Sequence, residues 1–513
     1  MANRALVITG RVTSGVVALG AAFVLIAGAS VLPLPTLDTS AEGVEITPVS
    51  VGQERVCPGP LLRLGDANGQ GATTVNAFGA ANMVSSSGAA TLTPSPLQDV
   101  DVVSSQSGQT SALLSSTTAT VASDLLSGAQ AQTAFESDAF GLAAISCNEG
   151  GATSWIVAGA TDTGRTSLLL LANPSPVPAT VDIYLYGVEG PVEAGGLSQL
   201  IIAPHTQRVL PLSGYAPGDA QLAMRIDSTG GLISATLEQS IVRGLEPGGV
   251  DLVGPSATPS RTQIIPGVRV ATSAARDQRA QVGGSQDVET TLRVMVPGAD
   301  NATVTVGVTG DTADALGTSL EVTARSGTVT DILLPGLTDG TYTVTAKSNV
   351  PIVTAVRASV VSPPDDSSSE SDDEEEEDEE ETTVSQGGEL VSGSGADVTI
   401  VDGERIDLAW FASASELEED TTFAVAGGPA PRLSLVNSGD ADTSVTLTAA
   451  DGTAQEIAVP AGGAVSVDVG VTFYTLSNVA SVRGAVSFQG DGALASYPVR
   501  QANPLATPLT VYH

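Results

Sequence analysis

The sequence predicts an all-β protein: tandem β-sandwich modules of immunoglobulin-like kind, following an N-terminal transmembrane helix. Three observations carry this expectation. The 513 residues include 56 Gly but only 2 Trp, 7 Tyr and 8 Phe, with a single lysine, Lys347, among 20 basic side chains. Small residues mixed with Val and Thr suit short strands and tight turns better than long helices, which favour Leu, Glu, Lys and Gln. Beyond residue 150, turn signals recur about every 8–12 residues, the rhythm of a sandwich. Finally, the chain repeats itself with a period of about 80–100 residues, which implies stacked modules.

The N-terminal segment comes first. Arg4 and Arg11 precede an uncharged stretch from Val12 to Leu34, long enough as a helix to cross a ~30 Å hydrocarbon core. Asp38 and Glu42 follow, so the positive flank belongs inside and the bulk of the chain outside. Residues 1–35 read as a signal anchor or, with Ala27-Gly28-Ala29 as a cleavage site, a signal peptide. The expected location is the cell membrane, single-pass with the bulk extracellular, or secretion if the signal is cleaved. Residues 36–56 read as an extended spacer.

Export decides how the cysteines are read. Cys57 and Cys147 are the only two, and outside the cell such a pair forms one disulfide, the alternative being two buried thiols. The chain-entropy estimate for a loop of this length is roughly 4–5 kcal/mol, an upper figure. Residues 57–150 are expected to be an N-terminal domain stapled at its ends.

Three modules follow, at 151–255, 256–362 and 389–513. The segment from Trp155 (WIVAGATDTGRTSLLLLANP) and that from Phe423 (FAVAGGPAPRLSLVN) share an aromatic, V-A-G, and a basic residue opening a Leu-rich run that ends in Asn. Asn173 precedes Val181-x-Ile183-x-Leu185 by eight residues, and Asn437 precedes Val445-x-Leu447-x-Ala449 by eight. That alternation is the period of a half-buried strand. A weaker copy runs through TLRVMVPGADNATVTVGV (291–308) and TYTVTAKSNVPIVTAVRAS (341–359). The competing explanation is that Val/Ala/Thr-rich sequence is self-similar by composition alone.

Several of these stretches resemble a family of exported, membrane-anchored proteins of unknown function from high-GC Gram-positive bacteria. The likeness lies in the N-terminal anchor, VCPGP at Val56–Pro60, ISC at Ile145–Cys147 and the W-x-V-A-G…LLLANP segment. It implies location and fold class, and transfers no catalytic residue.

Between the second and third modules, residues 365–381 hold thirteen carboxylates and four serines, with no basic residue between Arg357 and Arg405. So many like charges cannot collapse, so residues 363–388 are expected to be a disordered acidic linker or loop. Such a run lacks the preformed cage that gives calcium affinity. The overall charge of −37 argues against nucleic acid as a partner, because phosphate recognition needs clustered Lys and Arg.

Catalytic motifs are sparse. His205 and His513 are the only histidines, so zinc sites and a Ser-His-Asp triad reduce to His205, expected to be an exposed turn residue. Asp66-Ala-Asn68-Gly-Gln70 begins like a calcium loop, but its twelfth position is Ala77, so an Asn-Gly turn is expected. No catalytic, cofactor-binding or metal residues are assigned; the assigned site residues are the disulfide pair Cys57 and Cys147. Trp155 and Trp410 are expected to fill cores rather than hold sugar. The expected function is a non-catalytic envelope protein with a scaffold, adhesion or binding role towards a glycan or protein of the envelope. The alternative is an exported carbohydrate-active enzyme using a carboxylate pair.

Overall fold

The computed structural model describes residues 52–362 and 404–501, apart from 66–73, 89–91, 117–124, 137, 284 and 312–317, together with strands Gly43–Ile46 and Leu509–Tyr512. The chain falls into two units, one of residues 1–49 with 505–513 and one of Ser50–Pro504. In the first, Gly43–Ile46 pairs antiparallel with Leu509–Tyr512. Everything below concerns the second. The membrane helix expected at 1–35, the turn at Asp66 and the acidic run at 363–388 lie outside the described residues. Among those described, no helix is long and apolar enough to cross a membrane.

The predicted repeat is present strand for strand. Module 1 has one sheet in the order Thr153–Ile156, Ala223–Gly230, Ala179–Tyr186, Leu200–Ile202. Its other sheet runs Glu246–Val253, Ser234–Arg243, Arg165–Asn173, Thr206–Pro211. Module 3 places Thr421–Ala424, Phe473–Ser477, Thr443–Ala449 and Ala454–Val459 in one sheet. Its second sheet runs Ala493–Val499, Val482–Gly490, Arg432–Asn437, Ala464–Asp468. Taken in chain order, each strand of one module has a counterpart with the same neighbours in the other.

The run of four leucines in module 1 shows how one strand serves two cores. Leu169 and Leu171 point into the sandwich, while Leu168 and Leu170 pack against Leu62, Val75 and Ala77 of the N-terminal region. Successive side chains of a strand point to opposite faces, so a strand covered on both sides must be apolar throughout. Ala179–Tyr186, covered on one side only, alternates buried and more exposed residues instead. The N-terminal region also extends the module 1 sheet, through Gln98–Asp99 lying parallel to Thr206–Pro211.

In module 2 the 23-residue strand Gly340–Ser362 belongs to both layers. Its first half pairs with Ser260–Val270 and Ala302–Gly310; its second half pairs with Thr291–Met295. The boundary expected at residue 389 needs correction for one strand. Arg405–Ala412, assigned from the sequence to module 3, pairs antiparallel with Gly340–Ser362, Ser362 opposite Arg405. The second module is therefore closed by a strand that follows the acidic run, and that run connects two neighbouring strands of one sheet. The modules also share cores: Trp410, Leu408, Val353 and Met295 complete the cluster built mainly from module 1.

Candidate functional site

Both repeated asparagines make the same bonds. Asn173 Nδ2 donates to the carbonyls of Val177 (2.8 Å) and Ile202 (3.0 Å), and its Oδ1 accepts the Ser175 amide at 3.0 Å. Asn437 Nδ2 donates to the carbonyls of Ala441 (2.8 Å) and Val459 (3.2 Å), and its Oδ1 accepts the Gly439 amide at 2.9 Å. Each ties its own turn, four residues ahead, to the last residue of the fourth strand of its module. Both are buried, so this amide replaces backbone partners that the turn would otherwise lack. Trp155 and Phe423 hold equivalent places, third in the first strand of each module, and are buried. Their stacking partners differ: Tyr186 of the third strand for Trp155 and Tyr474 of the sixth for Phe423. Trp410 is buried as well.

Asp407, which the sequence reading passed over, sits where four sheet edges meet. Its Oδ2 accepts the amides of Leu142 (2.9 Å) and Leu494 (2.8 Å), and its Oδ1 those of Leu408 (2.8 Å) and Val250 (3.3 Å). These four donors lie on Ala139–Ser146, Ala493–Val499, Arg405–Ala412 and Glu246–Val253, each the outermost strand of its sheet. An edge strand carries N–H groups without a ladder partner, and buried ones must find another acceptor. Two glycines make room: a Cβ at Gly141 (φ +127°) would overlap the Asp407 carboxylate, and one at Gly249 (φ +116°) would meet Leu408 N at 2.7 Å. Nearby, Asp251 accepts the amides of Trp410 (2.7 Å) and Leu252 (2.9 Å), and Glu238 that of Leu62 (2.8 Å). Burial pushes Asp407 up to about 8 against the pull of its four amides. Glu238 is also pushed up by burial to about 8. Asp251 is raised well above the ordinary range by burial and by the neighbouring Asp407 charge. None of the three is more than 2% exposed.

A cavity of about 370 Å³ opens between modules 1 and 2, lined among others by Arg165, Gln239, Asp287, Asp331 and Arg357. Thr291–Met295 carries Arg293 beneath it, wholly buried, with its guanidinium 4.6 Å from the Trp410 ring centre. Arg293 forks onto Asp331 at 2.7 and 2.9 Å and reaches across to Gly159 O of module 1 at 2.6 Å. Asp287 receives the fork of Arg243 at 3.1 and 2.8 Å and Arg165 at 2.9 Å. Burial would raise both carboxylates, yet the arginines win and hold both below the ordinary range.

The two sequence-assigned site residues are joined: Cys57 and Cys147 form a disulfide with Cα atoms 4.4 Å apart, within the cluster of Leu114 and Leu126. His205 is exposed in a turn at φ +52°.

Sheets, cores and cavity together define an all-β protein of fused sandwich modules, locked by a disulfide and by buried carboxylates. The chain belongs to the family of unknown function DUF5719, which matches residues 102–372, more than half of its length. No curated protein matches it. Among solved structures, a biofilm associated protein, BSP domain, aligns over 90% of this chain and 92% of its own at 8% identity, with a TM-score of 0.11. That score is too low to carry any argument.

Proposed function

We propose that this chain is a non-catalytic protein of the cell envelope, held on the outer side of the membrane by its N-terminal segment or released there. Its fused modules act as a scaffold that binds an envelope glycan or protein. The exported, anchored proteins of high-GC Gram-positive bacteria that the sequence resembles fit this location, and a disulfide suits an oxidising compartment. The observation that carries the scaffold reading is the Asp407 carboxylate. One buried side chain bonds the N-terminal region and all three modules, so the modules form a single rigid body rather than beads on a string.

The carboxylates favour this reading over a carbohydrate-active enzyme. A glycosidase needs one carboxyl held protonated beside an ionised one within reach of the sugar. Here Asp407 and Glu238, the carboxyls pushed up to about 8, are sealed from solvent, and Asp287 and Asp331 in the open cavity are both pulled toward the ionised form. The test is crosslinking on intact cells followed by identification of what is captured; a specific envelope component is expected. Hydrolysis of envelope glycan by the purified chain, lost in Asp287→Asn, would put the enzyme reading in its place.

A further inference from the structure

A second cavity, of about 260 Å³, opens where the N-terminal region, module 1, the segment joining modules 1 and 2 and the end of module 3 meet. Two arginines, Arg55 and Arg500, line it against one carboxylate, Glu149. Arg55 is fully engaged: its Nη2 bonds Glu149 at 2.9 Å, its Nε the Leu126 carbonyl at 2.7 Å and its Nη1 that of Cys147 at 3.2 Å. Arg500 is half-buried overall, yet its Nε and Nη2 are buried with no hydrogen-bond partner among the described residues. The charges that bear on it are those of Arg55 and Glu149. Those two neutralise each other, so the charge of Arg500 stands uncompensated. Burial and the Arg55 charge push Arg500 down to about 10, the direction expected of a cation short of a counter-ion.

Nε and Nη2 are the two nitrogens on one edge of the guanidinium. In Arg243 and Arg293 that edge grips both oxygens of Asp287 and of Asp331; in Arg500 no described protein group takes it. Such a fork matches a carboxylate, and a buried charge without a partner is costly. Two neutral groups of the same lining are also unpaired. Asn148 is 2% exposed and Ser256 6%, and neither Asn148 Nδ2 nor Ser256 Oγ has a hydrogen-bond partner among the described residues. Pro255 and Trp155 add apolar surface. An apolar acid would leave Asn148 and Ser256 unpaired, and a neutral sugar would leave Arg500 so. A ligand with a carboxylate, hydroxyls and a C–H face suits all of them. We propose that this cavity binds an acidic sugar, its carboxylate on Arg500 and its hydroxyls on Asn148 and Ser256. The site gives the glycan-binding role proposed above a chemical class and rests on that reading.

The test uses the full chain with D-glucuronate as probe, read by calorimetry and by thermal shift. A salt concentration of ~0.15 M screens the field of a chain of charge −37 beyond ~8 Å. Glucose is the neutral control, inorganic phosphate the tetrahedral anion and N-acetyl-L-alanine the carboxylate of a peptide end. Saturable binding of glucuronate is expected, at least ten-fold tighter than any control and weakened at least ten-fold in Arg500→Gln. Because the guanidinium has no protein partner to lose, Arg500→Gln without ligand should melt no lower than the wild type. Ser415→Trp, at an exposed position of the lining, should block binding with the melting temperature unchanged. Absence of saturable binding, binding of any control as tight as glucuronate, or full binding in either variant would each overturn the proposal. So would a marked fall in the melting temperature of Arg500→Gln, which would mean that the guanidinium serves the fold. Failure here leaves the crosslinking result free to stand, so the two readings are separable.

Discussion

Replacing Asp407 by asparagine tests whether one carboxylate joins the modules. The Oδ2 of Asp407 takes the amides of Leu142 and Leu494, and its Oδ1 those of Leu408 and Val250. Asparagine keeps one oxygen and turns an NH₂ toward two N–H groups that need an acceptor. Each buried amide left unpaired costs about 1–3 kcal/mol, so the variant should lose about 2–6 kcal/mol. For one cooperative unit spanning Ser50–Pro504, an unfolding entropy of about 2.1 cal/mol/K per residue makes each kcal/mol worth about 1 °C, so the melting temperature falls by about 2–6 °C. The pH dependence is the sharper measurement. Burial raises Asp407 to about 8 in the folded chain, so the folded state holds this proton more tightly than the unfolded state. The stability it contributes is full below about pH 4, the ordinary carboxylate value, and is lost as pH rises through about 8. In that window each pH unit removes at most about 1.4 kcal/mol for this group. Asp287 and Asp331 are lowered; their contribution is lost only as pH falls below the ordinary range, outside the window. Calorimetric melts from pH 5 to 8 should show the wild type losing stability and Asp407→Asn losing less. Repulsion within a chain of charge −37 is common to both and cancels in the comparison. An identical pH slope in the two proteins, or a wild type that gains stability toward pH 8, would refute the argument.

Three other outcomes are expected. Reducing the Cys57–Cys147 bridge should lower stability by up to roughly 4–5 kcal/mol, and a non-reduced digest should yield the linked peptide; free thiols at both positions would contradict it. Asn173→Ala and Asn437→Ala should each cost about 1–3 kcal/mol through lost buried hydrogen bonds. Melts differing by more than that range would show that the two modules do not use the residue alike. Deleting residues 365–381 should leave the melting temperature within a few degrees, because Ser362 and Arg405 are already paired neighbours; a larger drop would mean that the acidic run packs on the fold.

The strands and their repetition were legible in the sequence because alternation, turn residues and the Asn-to-Val spacing are local patterns. Asn173 and Asn437 could be matched from sequence alone, since each bonds within its own turn and module. Asp407 could not. Its four donors come from residues as far away as Leu142, 265 positions distant, and only the meeting of sheet edges gives the residue a purpose. A signal was present in ERIDLAWFA: a carboxylate inside an otherwise apolar strand is either misplaced or satisfied from elsewhere. The same holds for Arg357 in VTAVRASVV and for Asp251 in VDLV. The module boundary failed for a related reason. Arg405–Ala412 follows the acidic run in sequence but completes the sheet before it, and no composition shift records which sheet a strand joins.

The pairing of Ser362 with Arg405 makes the fold indifferent to what stands between them. Because the two ends leave the sheet side by side, the closure entropy grows only as the logarithm of loop length, about 0.6 kcal/mol for each doubling. Codon-level expansion of an acidic repeat at this place therefore meets almost no thermodynamic resistance, and neither does contraction. The position is a natural graft point, able to take up a peptide tag, a protease site or a whole foreign domain whose own termini adjoin.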